Sequence, residues 1–330
     1  MSRVQRFLAM SDLGWTGVMA GLSLLGLIGW KSGEAGGPAV LAFAFVLAAA
    51  LYRPRAGLYL VILSAPIRGT LMLPDDTAST TKLLGAAVAL GSVLMWVREV
   101  RFPRVGRGAI PLIALAVLGA TSIFPHAAAP SGLAAAGLVQ YVLLAVIVAD
   151  AASSPRCAVR LCLVVGASAL MTALMMLGDY IPFAIAARTV EPTRFEWAVD
   201  PQTTLLATFL ATGILALFVV GSENLGRRWR LALGAMGLPL VLAVLVLNSR
   251  LVAIALVLGV VAYAFAGEGI RRRLPLAAGF VATVVVLAVV SGLAGLWDPG
   301  MRYRATHTLD SPYEATSGRT VIWRVGAQVF

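Results

Sequence analysis

The chain has 330 residues, 60% of them hydrophobic and only 12% charged, with a mean hydropathy of +0.90. Soluble domains are about 45–50% apolar and about 25% charged, so these values exclude an ordinary soluble enzyme and point to an all-α polytopic membrane protein. The net charge of +11 would suit a nucleic-acid partner in a soluble protein, but here its distribution along the chain decides its meaning.

Apolar runs of about 17–25 residues read as membrane helices. In chain order they fall at 13–30, 38–52, 56–73, 81–97, 108–124, 133–149, 158–178, 201–220, 231–247, 251–266 and 275–297, which predicts eleven crossings. The first follows Arg3 and Arg6 and is too long for a signal-peptide core. With no small-x-small cleavage site behind it, an uncleaved helix is expected. The third carries Pro66 and Arg68 within it. Cys157 and Cys162 lie five apart in one apolar run, a spacing that fits neither a metal site nor a redox pair, so they read as free thiols.

Lysine and arginine in short loops set orientation. With the N-terminus inside, sixteen of the 26 basic residues face the cytoplasm against five acids, and the remaining ten bases meet ten acids outside. The whole net charge therefore falls on one side, as an inner-membrane protein with a cytoplasmic N-terminus requires. Basic loops of this length are topological signals that touch at most anionic membrane lipid, and no nucleic acid is expected. The chain divides into a membrane domain, 1–297, and an outer-face segment, 298–330.

Three outer segments carry the candidate chemistry: the loop 179–200, the turn Asn248–Ser249–Arg250, and the segment 298–330. Asp200 and Pro201 form a cap and first-position start for one helix, with Gln202 next. Asn248 or Ser249 can cap the helix expected to open at Leu251. Each such terminus presents unpaired N–H groups and a positive dipole end, which suits an anion. Arg188, Arg194 and Arg250 lie in the same layer, and arginine grips phosphate at two points. A second reading stands beside this one: Arg250 snorkels to the headgroups, while Arg188 and Arg194 pair with Glu191 and Glu196. His126 and His307 read as a loop residue and a tail residue. No metal-ligand cluster, glycine-rich phosphate loop or nucleophile elbow occurs in the sequence.

In the tail, Ser311, Pro312 and Glu314 make a capping box. After Gly318, Val321, Val325 and Val329 form an apolar stripe anchored by Trp323, so two short interfacial helices are expected. The pattern stops at Phe330 without a cap, and a continuation into a larger periplasmic or extracellular loop is expected.

These elements resemble the O-antigen ligase and O-antigen polymerase superfamily. The turn "NSR" is similar to that family's "SR" element, and "DPQTTLLATFLATGILALF" to its Asp-Pro-Asn helix start, with Gln202 in place of asparagine. "SGRTVIW" is similar to its Arg-x-x-x-Trp segment, and "YRPRAGLYLVILSAPI" to its early proline-rich hairpin. The likeness runs over roughly 40–330. It implies a metal-independent glycosyltransferase without cofactors. The donor would be an oligosaccharide on an undecaprenyl diphosphate carrier, and the acceptor a hydroxyl of a glycan, lipid or protein outside the bacterial inner membrane. Arg250, Arg194, Arg188 and Arg319 would hold the diphosphate, beside the helix start at Asp200, Pro201, Gln202 and Ser249. The family's base histidine lies beyond the Arg-x-x-x-Trp segment, so the resemblance assigns no catalytic residue within this sequence. The competing class is a transporter or flippase for a lipid-linked or anionic substrate. That class places ionisable groups near the bilayer midplane, whereas these spans are almost free of charge.

Overall fold

An apolar run in lipid must satisfy every backbone N–H and C=O within itself, and the helix does this over any length. The computed structural model describes residues 11–31, 36–64, 80–104, 142–186, 203–222, 226–247, 250–265 and 270–293. Among these there is no strand, and ten helices follow one another. They are α1 (Asp12–Lys31), α2 (Gly36–Tyr52), α3 (Pro54–Leu63), α4 (Thr80–Arg98), α5 (Val142–Ala151), α6 (Pro155–Ala186), α7 (Thr203–Ser222), α8 (Arg227–Val246), α9 (Arg250–Phe265) and α10 (Ile270–Leu293). Three stretches, Pro155–Phe183, Arg228–Val246 and Arg273–Gly292, are long and apolar enough to cross a membrane.

The polarity of the fold is inverted relative to a soluble protein. Leu25, Leu41 and Val97 on α1, α2 and α4 are about two-thirds exposed, as are Leu258 on α9 and Val286 on α10 to a slightly lesser degree. Buried polar side chains return to backbone carbonyls: Ser92 donates to Val88 O at 2.8 Å, and Ser168 donates to Ile62 O at 2.6 Å. Thr16 lies within reach of both Asp12 O and Ala56 O, at 2.8 and 3.2 Å. Such broad apolar exteriors would be an aggregation liability in water and are ordinary against lipid. Every described element is helical, with an exterior compatible with a membrane protein.

Several helix boundaries differ from the sequence expectation, among them those of the third, seventh and tenth runs. The helix of the third run, α3, ends at Leu63, where the Ser64 hydroxyl donates to Val61 O, and residues 65–73 of that run lie outside the described residues. At about 1.5 Å per residue, ten residues reach only halfway across a bilayer. The seventh run is longer than 158–178, since α6 continues to Ala186 through Pro182 and takes the first eight residues of the expected outer loop. Tyr180, just ahead of that proline, is fully buried. The tenth run opens at Arg250, one residue before Leu251. The expected span at 108–124 and the tail helices of 298–330 lie outside the described residues.

The chain separates into two compact units, Met1–Ser168 and Ala169–Phe330. In the first, α1, α2, α3 and α4 pack on one another around Met19, Ala50, Leu58, Tyr59 and Val88, with Ile147 of α5 and Leu161 of α6 added. Two glycines set the spacing. A Cβ on Gly91 would meet Leu51 O at 2.6 Å and Ala50 O at 3.0 Å, and one on Gly57 would meet Val88 Cγ2 at 2.7 Å. Gly91 therefore lets α4 lie directly on the backbone of α2. In an ordinary helix, glycine to alanine gains up to about 1 kcal/mol. Here the added methyl strikes backbone that cannot swing aside, and Gly91→Ala is expected to cost about 1–3 kcal/mol. Gly85→Ala on the same helix, with nothing within 4 Å, should be neutral or stabilising. Thermal unfolding of the two purified variants in one detergent checks the contrast.

In the second unit α7, α8, α9 and α10 pack together. Leu215 of α7 lies 3.4 Å from the position a Gly259 Cβ would take, and Phe218 meets the Tyr263 ring edge-on at 6.0 Å. The Ser222 and Tyr263 hydroxyls are 2.8 Å apart. Pairings that advance together along both helices make α7 and α9 parallel, so their N-termini share one end of this unit.

Candidate functional site

Of the arginines expected at the outer face, Arg250 alone lies within the described residues. Arg188, Arg194, Asp200, Pro201, Gln202, Asn248, Ser249 and Arg319, together with His126 and His307, lie outside them. What the structure places is the backbone around Arg250. Helix α8 closes at Leu247, whose N–H donates to Ala243 O at 3.1 Å, and α9 opens at Arg250. Only three residues separate these helices, and Arg250 stands in the first turn of α9, where the dipole is positive and backbone N–H groups have no intrahelical acceptor. The α7–α9 pairings set Arg250 level with about Leu206, roughly one turn, or about 5 Å, inside Thr203. Two helix N-termini and an arginine thus gather at one end of the second unit. This arrangement can bind an anion.

The first unit holds a polar cluster that the sequence did not announce. Helix α4 ends in a tight reversal. The Arg101 N–H donates to Trp96 O and the Val100 N–H to Val97 O, both at 3.1 Å. This is the six-to-one and five-to-two pattern that normally places a glycine in the left-handed region. Here Val100 occupies that position with φ of 48°, a conformation that costs a side-chain-bearing residue about 1–2 kcal/mol.

The reversal turns Arg101 back onto Asp150, near the C-terminus of α5. Asp150 is buried, at 2% exposure. Its Oδ1 accepts from Arg101 Nη1 at 2.7 Å and from the Arg104 backbone N–H at 3.1 Å. Its Oδ2 accepts from Arg101 Nη2 and from Trp96 Nε1, both at 3.1 Å. Glu99 also pairs with Arg101 from the solvent side. Burial pushes the Asp150 carboxyl up, but the hydrogen bonds from Arg101, Trp96 and the Arg104 N–H together outweigh it and hold the group down to about 2. Asp150 first, and then Glu99, raise the Arg101 guanidinium above its ordinary value.

With four donors on two oxygens, Asp150 has no lone pair placed for proton transfer. The cluster is a clamp that ties the end of α4 to the end of α5, and Pro54 and Arg55 of α3 line a small void beside it. The same end of the unit thus collects residues 54–55, 96–104 and 150–151, three segments that the charge distribution assigns to one side of the membrane. Sequence reasoning counted Arg101 and Asp150 only as loop charges. The signals that could have drawn notice were the isolated carboxylate at the end of one apolar run and the four arginines, 98–107, after another.

Cys157 and Cys162 are free thiols in α6, as their spacing suggested. No protein-family model, curated protein or solved structure matches the chain.

Proposed function

We propose that this chain is a metal-independent glycosyltransferase of a bacterial inner membrane. It would move an oligosaccharide from an undecaprenyl diphosphate carrier to an acceptor hydroxyl, in the manner of O-antigen ligases and polymerases. The reading combines the sequence resemblance with one observation: an arginine opens α9 at the end of the unit where α7 also begins. In such a reaction the acceptor oxygen bonds to the anomeric carbon as the bond to the diphosphate breaks, and negative charge grows on the leaving group. Cations and helix N-termini already in place stabilise that charge without reorganising, which lowers the barrier. Arg250 would be the central ligand, with Arg194, Arg188 and Arg319 from the outer segments. Eleven crossings with a cytoplasmic N-terminus put this end outside and the Arg101–Asp150 clamp inside.

Two measurements test the proposal. The protein is reconstituted with a lipid-linked oligosaccharide and an acceptor. Release of undecaprenyl diphosphate together with glycosylated acceptor is expected. Movement of the intact lipid-linked donor across the bilayer without release would make the protein a transporter instead. For sidedness, a single cysteine introduced at position 104 should resist an impermeant thiol reagent in intact cells. One at position 250 should react, and the reverse pattern overturns the orientation.

A further inference from the structure

Helix α4 runs for 19 residues, from Thr80 to Arg98. At about 1.5 Å per residue that is about 28 Å, close to the thickness of a bilayer's hydrocarbon core. A helix of this length leaves its last turn at the boundary between acyl chains and headgroups. The chain does not run straight on from there, because the reversal at Val100 turns it back on the end of α4. Asp150 then fastens it at two points: Oδ1 accepts from Arg101 Nη1 at 2.7 Å and from the Arg104 N–H at 3.1 Å. Phe102 and Pro103 are bowed between these fixed points. Phe102 is 93% exposed and Val100 92%, whereas the Arg101 side chain between them turns into the clamp. On a loose loop such exposure would carry little meaning. Here the hydrogen bonds on either side hold the two apolar side chains out, so little ordering remains to be done on contact with a partner.

The charge around Val100 and Phe102 is one-sided. Glu99 and Asp150 both pair with Arg101. Arg98 and Arg104 flank the apolar pair and are exposed, and among the described residues no ion pair reaches either of them. Arg156 and Arg160, exposed and likewise without an ion pair there, open α6 a short turn beyond Asp150. Two acids are thus neutralised by one guanidinium, and the surface around Phe102 is left positive.

We propose that residues 98–104 form a wedge seated in a leaflet of anionic phospholipid. Val100 and Phe102 lie among the upper acyl chains, and Arg98 and Arg104 meet the phosphates. Both features are needed to name that occupant. A free anion would satisfy the arginines and leave the phenyl ring in water. An apolar protein surface would cover the ring and strand the unpaired charges. The layer at the end of α4 does both, since it is apolar below and anionic above. The proposal rests on the membrane reading alone, independently of glycan transfer.

The test replaces Phe102 by benzoylphenylalanine, which keeps an aromatic ring and on irradiation bonds to a neighbouring C–H group. The full chain is placed in nanodiscs of equal amounts of dioleoylphosphatidylglycerol and dioleoylphosphatidylcholine, and the adducts are identified by mass. Phosphatidylglycerol adducts are expected about tenfold over phosphatidylcholine adducts, the effect of one to two arginines at an anionic surface. The same photoprobe at Leu90, exposed midway along α4, should give adducts of both lipids alike and so checks the membrane reading separately. Arg98→Gln combined with Arg104→Gln changes two exposed side chains outside the clamp, and should bring the ratio at position 102 to about one. Lipid adducts at 90 with none at 102 overturn the proposal. So do equal adducts of the two lipids at 102, or a preference that survives the arginine substitutions. No lipid adduct at either position overturns the membrane reading and the wedge with it.

Discussion

Replacing Arg250 by lysine is expected to lower glycan transfer about a hundredfold while leaving membrane insertion and protein level unchanged. The substitution keeps the charge and most of the length, so an arginine that merely reached for the headgroups would not notice it. A diphosphate ligand would, because lysine offers a compact point charge where arginine offers a planar fork with paired donors. Losing one such contact to developing charge costs on the order of 3 kcal/mol, which is the hundredfold. The position within α9 sharpens the prediction. Residue 250 lies in the first helical turn, so the backbone N–H groups beside it remain in place in the lysine variant, and residual activity above background is expected. The measurement is initial rate of transfer from lipid-linked donor, normalised to protein in the membrane. Transfer at the wild-type rate by Arg250→Lys or Arg250→Ala would assign the residue to the headgroups.

Removing the Asp150 carboxylate by Asp150→Ala is expected to destabilise the first unit by about 2–3 kcal/mol, the lower part of the range for truncating one partner of a buried charge pair. The lower part applies because Arg101 keeps Glu99 and a side chain 25% exposed, so its charge is not stranded in a dry interior. Much of the loss comes from the orphaned donors, Trp96 Nε1 and the Arg104 N–H. Asp150→Asn keeps the shape and one acceptor and should lose less. Val100→Gly should move the other way by about 1 kcal/mol, because it relieves the left-handed valine that aims Arg101.

The same clamp gives a dependence on acidity with a defined sign. The folded-state value of Asp150, about 2, lies below the ordinary carboxylate value of 3.8. The unfolded chain therefore binds the proton first as pH falls. The clamp's contribution is complete above about pH 4 and is lost between there and pH 2. Unfolding midpoints of wild type and Asp150→Asn, measured across that window in one detergent, should converge as the pH falls. A gap that stays constant would remove the carboxylate's charge from the account.

Composition and periodicity determined the class and most of the elements. Runs such as 38–52 and 201–220 are apolar on every side, so no choice of register or partner could have exposed them to water, and helices stand at both, Gly36–Tyr52 and Thr203–Ser222. Chain-local chemistry also carried the short α8–α9 turn, because Asn248, Ser249 and Arg250 interrupt two hydrophobic runs. Local reasoning placed other boundaries less well: α3 ends at Leu63, and α6 continues through Pro182 to Ala186.

Only the tertiary structure could show that Gly91 is a contact with the backbone of α2, since a glycine in a helix reads alike whether it faces lipid or a carbonyl 2.6 Å from where its Cβ would be. It packed α7 directly against α9, in the parallel sense that the alternation of crossings had already implied. It also joined Asp150 to Arg101, 49 residues apart, through a reversal that has a valine where the sequence signal would have been glycine. Hydropathy is a property of each segment and survives in a single sequence. Pairing between segments is a property of their packed surfaces, and no local pattern in this chain encodes it.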